Sequence, residues 1–204
     1  MPGFTLWFTG LSGAGKTTIA ELVAPELERR GLHVEWLDGD VVRTHLTQGL
    51  GFSKADRDTN IERIGWVASR LTRHGAAVVV SAISPYAAAR ERARELVEEF
   101  GAFVEVYVAT PVEECERRDV KGLYEKARAG EIPEFTGVSD PYEEPANPEL
   151  RIETTEHAPE ESARLVVAKL EDLGLLAEVH DRRRLDGAEQ GAEAPALPAL
   201  EREI

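Results

Sequence analysis

A phosphate-binding motif stands near the start of the chain. Residues 10–17 read GLSGAGKT and fit the pattern G-x-x-x-x-G-K-[ST]. The glycines allow backbone N–H groups to converge on one concavity, Lys16 can reach the β- and γ-phosphates, and the Thr17 hydroxyl can ligate Mg²⁺. The motif predicts a site for a nucleoside triphosphate. Contacts to it are expected from Gly10, Leu11, Ser12, Gly13, Ala14, Gly15, Lys16, Thr17 and Thr18.

Two carboxylates follow the second predicted strand, at Asp38 and Asp40. A phosphotransferase needs one carboxylate near Mg²⁺ and another to orient the attacking hydroxyl, and two acids separated by one glycine can divide these tasks. An ordinary turn is the alternative, because Asp-Gly pairs are common in turns.

A charged helix face and one aromatic residue are a second candidate. Arg57 and Asn60 are spaced i, i+3 and share a helix face, where they could hold a phosphate or sulfate and a sugar or base. Phe52 could stack on a base. The alternative is a solvated helix with Phe52 in the core.

Residues 121–148 are long, polar and rich in glycine and proline, which is typical of a lid that excludes water from a kinase site. Lys121, Lys126 and Arg128 are cations that could move over the phosphates. Phe135 is expected to be an exposed aromatic suited to stacking. A solvated surface excursion is the alternative.

The elements that must position these residues alternate along the chain. Strands are predicted at 4–9, 33–37, 76–81, 103–108 and 150–154, and helices at 17–30, 53–73, 87–100, 111–118 and 159–173. Pro25 is expected to kink the first helix or end it early. This order predicts an α/β P-loop NTPase/kinase fold: a five-stranded parallel sheet with helices on both faces and a lid. Ligands should bind beyond the carboxyl ends of its strands.

Composition favours a single globular domain. The 204 residues carry a net charge of −14 and 42% hydrophobic residues. We expect one domain over 1–176 and an acidic, disordered tail over 177–204. Strong acidity argues against nucleic-acid binding, and no segment has the ~20 apolar residues of a membrane span. One cysteine, Cys115, permits no intrachain disulfide. We expect a cytoplasmic protein without a secretion signal.

Taken together, several motifs resemble the adenylylsulfate kinase (APS kinase) family over about 4–173. They are GLSGAGKTT, LDGD with Arg43, GLGFSKADRDTNIERI, ISPY, RDVKGLYEKARAGEIPEFTG and DPYE. The resemblance implies Mg²⁺-dependent transfer of the ATP γ-phosphoryl group to the 3′-hydroxyl of adenosine 5′-phosphosulfate. The products are ADP and 3′-phosphoadenosine 5′-phosphosulfate, in sulfate assimilation.

The resemblance also implies roles for individual residues. Catalytic positions are Lys16, Asp40, Lys121 and Ser84, the last standing where the family carries a phosphoserine. Thr17 and Asp38 lie at the metal, and Arg117 and Arg118 flank the ATP adenine. The phosphosulfate nucleotide is expected to contact Asp38, Asp40, Arg43, Phe52, Arg57, Asn60, Ile83, Ser84, Lys121 and Phe135, with Phe52 and Phe135 on the two faces of its adenine.

The family suggests a homodimer and a functional link to ATP sulfurylase. Two other interpretations stay open at this point. One is another small-molecule P-loop kinase, acting on a sugar, shikimate or a nucleoside. The other is a nucleotide-binding regulatory module that has lost turnover.

Overall fold

The computed structural model of the chain describes residues 3–176. The tail predicted to be disordered, residues 177–204, lies outside the described residues. The domain boundary at 176 therefore stays a prediction.

The described residues form one five-stranded, fully parallel sheet, as predicted, with the strand order β2-β3-β1-β4-β5. Its strands are β1 Phe4–Thr9, β2 Val34–Asp38, β3 Ala77–Ser81, β4 Ala102–Val108 and β5 Leu150–Ile152. Strands β1 and β3 are buried along their whole length, because both faces of the sheet are covered.

Seven helices surround the sheet in the described part of the chain. They are α1 Lys16–Arg29, α2 Gly39–His45, α3 Lys54–Arg73, α4 Ala87–Glu98, α5 Val112–Arg118, α6 Leu123–Arg128 and α7 Pro159–Asp172. The bounds of the predicted strands and helices agree with these within two residues. Helices α2 and α6 were not predicted. Not one helix of residues 3–176 is both long and apolar enough to cross a membrane.

Two hydrophobic cores lie on opposite faces of the sheet. Alternate side chains of strand β1 enter opposite cores. Leu6 and Phe8 point into the core under α1 and α7, whereas Trp7 points into the core under α3 and α4. The Trp7 ring stacks on Phe103 with centroids 5.5 Å apart. Side chains of β1 thus pack into both cores, and this buried strand leads directly into the phosphate-binding loop.

Pro25 does not end its helix early, because α1 continues to Arg29. Proline removes the N–H that would bond the carbonyl of Glu21. Both Glu21 and Pro25 are exposed, so water can satisfy that carbonyl.

Candidate active site

A cleft of about 870 Å³ opens at the carboxyl ends of the strands, where ligands bind in sheets of this kind. Five segments line it: the phosphate-binding loop, the residues after β2, Phe52 with the start of α3, the loop after β3, and the end of α5 with the lid over residues 121–148. Most of the predicted site residues meet here. Those that line the cleft are Ser12, Gly13, Gly15, Lys16, Thr17, Thr18, Asp38, Asp40, Arg43, Phe52, Arg57, Asn60, Ile83, Ser84, Arg118, Lys121 and Phe135.

The loop of residues 10–15 joins β1 to α1. Gly10 has φ 145° and packs so closely on β4 that a Cβ atom there would lie 2.5 Å from the Val108 carbonyl oxygen. Only glycine combines that backbone angle with that approach. Gly10, Leu11 and Ala14 are not among the residues that line the cleft, and Ala14 is fully buried. They belong to the body of the loop, whereas its other residues face the cleft.

Lys16 is buried at the base of the cleft. Its Nζ donates to the carbonyl oxygens of Gly10 at 2.9 Å and Leu11 at 2.7 Å. Burial lowers the pKa of Lys16 to about 8, and the Lys121 charge adds to this, while Asp38 and Asp40 oppose it. The ammonium group is thus only partly compensated by protein and suits a polyphosphate anion.

Asp38 sits where β2 ends and is held from three sides. Its Oδ1 accepts from the Asp40 backbone N–H at 2.9 Å, and its Oδ2 accepts from the Ser81 and Thr17 hydroxyls at 2.9 and 3.3 Å. The first contact caps helix α2, so the Asp-Gly-Asp stretch begins a helix. The alternative of a plain turn is therefore wrong.

The Thr17 and Asp38 oxygens are a donor set that suits Mg²⁺. Mg²⁺ prefers oxygen ligands and usually takes only one or two from protein, the rest coming from water and substrate phosphates. Residues 3–176 contain no group of three His, Cys, Asp or Glu side chains that could hold a metal by themselves. The site therefore fits a metal that arrives with a nucleotide.

Asp40 stands at the mouth of the cleft with its side chain 75% exposed. Its Oδ2 forms an ion pair with Nζ of Lys121 from the lid. The lid cation and the candidate hydroxyl-orienting carboxylate thus meet directly.

The far wall of the cleft carries the arginines. Arg57 is buried, and it donates from Nε to the Phe52 carbonyl at 2.7 Å and from Nη2 to the Glu134 carbonyl in the lid at 2.6 Å. Asn60 accepts from the Thr47 hydroxyl at 2.7 Å, which orients its amide. The helix face is therefore not a solvated one.

Phe52 lies in the cleft rather than in the core. It is 55% exposed, with the guanidinium carbons of Arg43 and Arg57 at 4.5 and 5.6 Å from its ring centroid. Burial and the neighbouring Arg57 lower the pKa of Arg43. An aromatic ring with two guanidinium groups close to it suits an anionic nucleotide.

The lid folds over the cleft, so the alternative of a solvated excursion is wrong. Phe135 was expected to be exposed, but it is only 8% exposed because it packs edge-on against Tyr124 with ring centroids 5.0 Å apart. Lys126 does not line the cleft, and Arg128 pairs with Glu116 at 2.9 Å outside it. Of the three lid cations, only Lys121 faces the site.

Arg118 and Arg117 differ in their placement. Arg118 lines the cleft and donates to the Thr154 hydroxyl at 2.9 Å and to the Gly13 carbonyl at 3.4 Å. Arg117 is paired with Glu114, points to solvent and does not line the cleft.

The loop after β3 contains Ile83 and Ser84. The Ile83 carbonyl accepts from the Thr9 hydroxyl at 2.7 Å. Ser84 is 1% exposed and has φ 49°. Its hydroxyl accepts from Trp7 Nε1 at 3.0 Å and donates to the Ala82 carbonyl at 3.3 Å. The Ser84 side chain is thus engaged with the protein.

Tyr124 is a site residue to which the sequence reading gave no role. It lies in α6, lines the cleft, and donates from its hydroxyl to the Ser12 carbonyl at 2.9 Å. Tyr124 and Ala127 are the buried face of this helix, spaced i, i+3. That spacing is the pattern from which the helix could have been predicted. It consists of a single pair of residues inside a lid rich in glycine and proline, so no repeating apolar face is visible in the sequence.

Comparisons with known proteins agree with this geometry. The family model of adenylylsulphate kinase matches residues 2–153. The adenylyl-sulfate kinase of Picosynechococcus sp. is 59% identical over 174 residues, which are 85% of this chain and 97% of that protein.

Two solved structures are similar as well. The Mycobacterium tuberculosis APS kinase CysC, in complex with AMPPNP and APS, is 48% identical with a TM-score of 0.80, over 83% of this chain and 98% of that one. A hexameric APS kinase from Thiobacillus denitrificans is 40% identical with a TM-score of 0.68, over 86% of this chain and 30% of that one. With its phosphate-binding loop, paired aspartates and closing lid, this chain belongs to the adenylylsulphate kinase family.

Proposed function

We propose that this kinase transfers the γ-phosphoryl group of ATP to the 3′-hydroxyl of adenosine 5′-phosphosulfate. The products are ADP and 3′-phosphoadenosine 5′-phosphosulfate, so the enzyme acts in sulfate activation. One observation carries the proposal: a single cleft has a phosphate-binding loop at one end, an arginine and phenylalanine wall at the other, and Asp40 with Lys121 between them.

The donor end binds ATP. Backbone N–H groups of residues 10–18 surround the phosphates, and Lys16 turns from the loop carbonyls toward them. Thr17 and Asp38 are the residues that would hold Mg²⁺, and the metal would neutralise phosphate charge there. Arg118 lies beside the loop on the adenine side, and we assign Arg117 only an outer, solvent-side role.

The acceptor end binds the phosphosulfate nucleotide. Arg43 and Arg57 neutralise its phosphosulfate, and Asn60 adds a polar contact. Phe52, just before helix α3, and Phe135 of the lid enclose its adenine. Ile83 and Ser84 meet the same nucleotide through their backbone, since the Ser84 hydroxyl is already bonded to Trp7 and Ala82.

Asp40 and Lys121 act where the two ends meet. The Asp40 carboxylate accepts a hydrogen bond from the 3′-hydroxyl and aims its oxygen at the γ-phosphorus for in-line displacement. Lys121 leaves Asp40 to neutralise charge on the transferring phosphoryl group. The closed lid keeps water from taking the place of the acceptor.

The test is ADP release from MgATP with adenosine 5′-phosphosulfate, beside AMP, adenosine, shikimate and gluconate. We expect release with the phosphosulfate alone. The Asp40→Asn variant should lower kcat about 10²-fold or more, because it removes the charge that orients the hydroxyl. Asp172→Asn, an exposed change at the end of α7, is the matched control and should leave kcat unchanged. Turnover of another acceptor, or none, would refute the proposal.

We propose three further properties that the family resemblance suggests. The first is a homodimer; the hexameric APS kinase among the structural relatives supports an oligomer in general. We also propose that it works in the cytoplasm, where ATP is available. The third property is a functional link to ATP sulfurylase, which would make its substrate there. Sedimentation of the protein alone tests the homodimer, and sedimentation together with ATP sulfurylase tests whether the two enzymes associate.

A further inference from the structure

The C-terminal part of the lid is fastened to the loop after β3. We call residues 140–143 the lid end and residues 82–86 the substrate loop. The Glu143 N–H donates to the Pro85 carbonyl at 2.8 Å, and the Tyr86 hydroxyl donates to Asp140 at 2.6 Å. The Glu143 carboxylate accepts from the Ala87 N–H at 2.7 Å. These contacts make the two segments one unit.

Arg90 of α4 lies beneath that unit and is 4% exposed. It donates from Nη1 to the Ser84 carbonyl at 2.6 Å and from Nη2 to the Glu143 carbonyl at 2.7 Å. One planar guanidinium therefore spans the substrate loop and the lid end. Only an arginine has a fork of donors that can do so.

A buried carboxylate completes the arrangement. Nε of Arg90 lies 2.9 Å from Oε1 of Glu105 on β4, in the geometry of an ion pair rather than of an aligned hydrogen bond. Burial raises the pKa of Glu105, although the charges of Arg90 and Arg94 oppose the rise. Because Glu105 lies in strand β4, its contact with Nε places the Arg90 guanidinium relative to the sheet.

The substrate loop needs this support at Ser84. Its φ of 49° is uncommon for a residue other than glycine and persists only where the surroundings impose it. The Ser84 carbonyl receives one hydrogen bond from Arg90 at 2.6 Å and a longer one from the Thr9 hydroxyl at 3.5 Å. Arg90 is therefore the stronger of the two restraints.

We propose that Arg90 is a positioning residue, which sets the backbone of Ile83 and Ser84 for the acceptor nucleotide and ties that setting to the lid end. It touches neither the donor loop nor the reacting atoms. Loss of the Arg90 guanidinium should weaken binding of the acceptor nucleotide and leave ATP binding unchanged. This inference rests on the proposed function, because the acceptor is the one named there.

Helix α4 offers a matched control in Arg94, one turn further on. Arg94 approaches the same Glu105 at 3.6 Å and forms two hydrogen bonds of 2.9 Å with Glu149. Its contacts are with Glu98, Phe103, Glu105 and Glu149, which belong neither to the substrate loop nor to the lid end. Arg94→Lys thus removes a comparable guanidinium fork and shares only the more distant Glu105 contact, while the two hydrogen bonds of Arg90 to the substrate loop and the lid end remain.

The experiment compares wild type, Arg90→Lys and Arg94→Lys. Each is measured for KM of adenosine 5′-phosphosulfate, KM of MgATP, urea unfolding, and amide hydrogen exchange of residues 83–87. For Arg90→Lys we expect KM of the phosphosulfate to rise about tenfold and KM of MgATP to change less than about twofold. Exchange at residues 83–87 should become faster. Arg94→Lys should lose stability without either change.

The proposal is overturned if both variants raise the acceptor KM alike, or if Arg90→Lys leaves both the KM and the exchange unchanged. Equal rises in both KM values in Arg90→Lys would also overturn it. If the wild type does not turn over the phosphosulfate, the proposed function fails first. Amide exchange then decides whether Arg90 positions the loop, since it needs no substrate.

Discussion

Lys16 shows how burial and function conflict within one residue. Two loop carbonyls solvate its ammonium group, yet burial lowers its pKa to about 8. A lysine with a depressed pKa is costly to keep charged without an anion. A bound polyphosphate brings the missing negative charge, so binding and protonation of Lys16 are linked.

This linkage gives a prediction for pH dependence. Near pH 8.5 a fraction of Lys16 is neutral in the free enzyme, because that pH lies above its pKa of about 8. Binding of MgATP raises the pKa again, and we expect net proton uptake, with affinity falling as the pH rises through about 8 to 10. Calorimetry in buffers of different ionisation enthalpy measures the uptake.

Lys16→Met is the variant that isolates the effect. It lacks the titrating amine, and its residual nucleotide binding should show no proton uptake at pH 8.5. Equal uptake in wild type and Lys16→Met would assign the proton to another group.

At the scale of elements, close contact between helices α3 and α4 matters because α3 carries Arg57 of the cleft wall and α4 carries Arg90. Gly65 of α3 faces Ala93 of α4 so closely that an added Cβ would lie 2.8 Å from the Ala93 Cβ. Glycine inside a helix costs about 1 kcal/mol relative to alanine. Its presence here is explained by packing.

The change Gly65→Ala therefore sets two effects against each other. Helix propensity gains about 1 kcal/mol, whereas overpacking in a rigid core costs about 1–3 kcal/mol. The added Cβ at residue 65 would lie 2.8 Å from the Ala93 Cβ and 2.9 Å from the Ala93 Cα, so the helices must move apart. We therefore expect overpacking to prevail. Urea unfolding should show a net loss of stability of up to about 2 kcal/mol.

Ala93→Gly provides the compensating background. With that methyl group removed, Gly65→Ala should cost less than it does in the wild type, because part of the clash is relieved. The same cost in both backgrounds would mean that the Gly65–Ala93 contact does not limit the spacing of the helices.

Elements also explain what sequence patterns could not predict. Helix α2 is short and begins at a glycine, so it has no apolar period, and its start depends on the Asp38 cap. Helix α6 begins at Gly122 with φ 62°, and its buried face is a single pair of residues. Long helices such as α3 were predictable because many turns repeat one apolar face.

The whole molecule carries a net charge of −14, so its carboxylates dominate its response to acid. Arg117 and Arg118 lower the pKa of Glu114 to about 2. Burial raises the pKa of Glu149, but its hydrogen bonds with Arg94 and the Glu105 N–H prevail and lower it. The pKa of Glu105 is raised by burial, so this carboxyl has the opposite effect on the stability of the folded protein in acid.

A stability profile follows from these directions. Below the ordinary glutamate pKa of 4.5, the unfolded chain binds more protons than the folded one at Glu114 and Glu149, so stability falls as the pH falls. We expect the free energy of unfolding to decrease from pH 4.5 towards pH 2.

Added salt and one variant separate the two contributions. Glu114 pairs with Arg117, whose side chain is 73% exposed, so 0.5 M NaCl should remove most of the Glu114 contribution. Glu149 pairs with Arg94, whose side chain is only 17% exposed, so its contribution should persist in salt and be lost in Glu149→Gln. A slope that vanishes entirely in salt would contradict the role given to Glu149.

The sequence alone determined the features that local patterns encode. The phosphate-binding loop, the alternation of strands and helices, and the specific motifs of the lid and of α3 were all readable, because each depends on neighbours within about 20 residues or on a fixed spacing. Even the approximate position of the site followed, since parallel strands bring their carboxyl ends to one edge.

Tertiary structure decided which residues face which. Phe135 lies in a polar stretch that reads as exposed, and only its packing against Tyr124 within the folded lid buries it. The fork of Arg90 joins residues 84, 105 and 143, and the sequence shows it only as one arginine in a charged helix. Contacts over such separations depend on how the whole chain folds, and no local spacing records them.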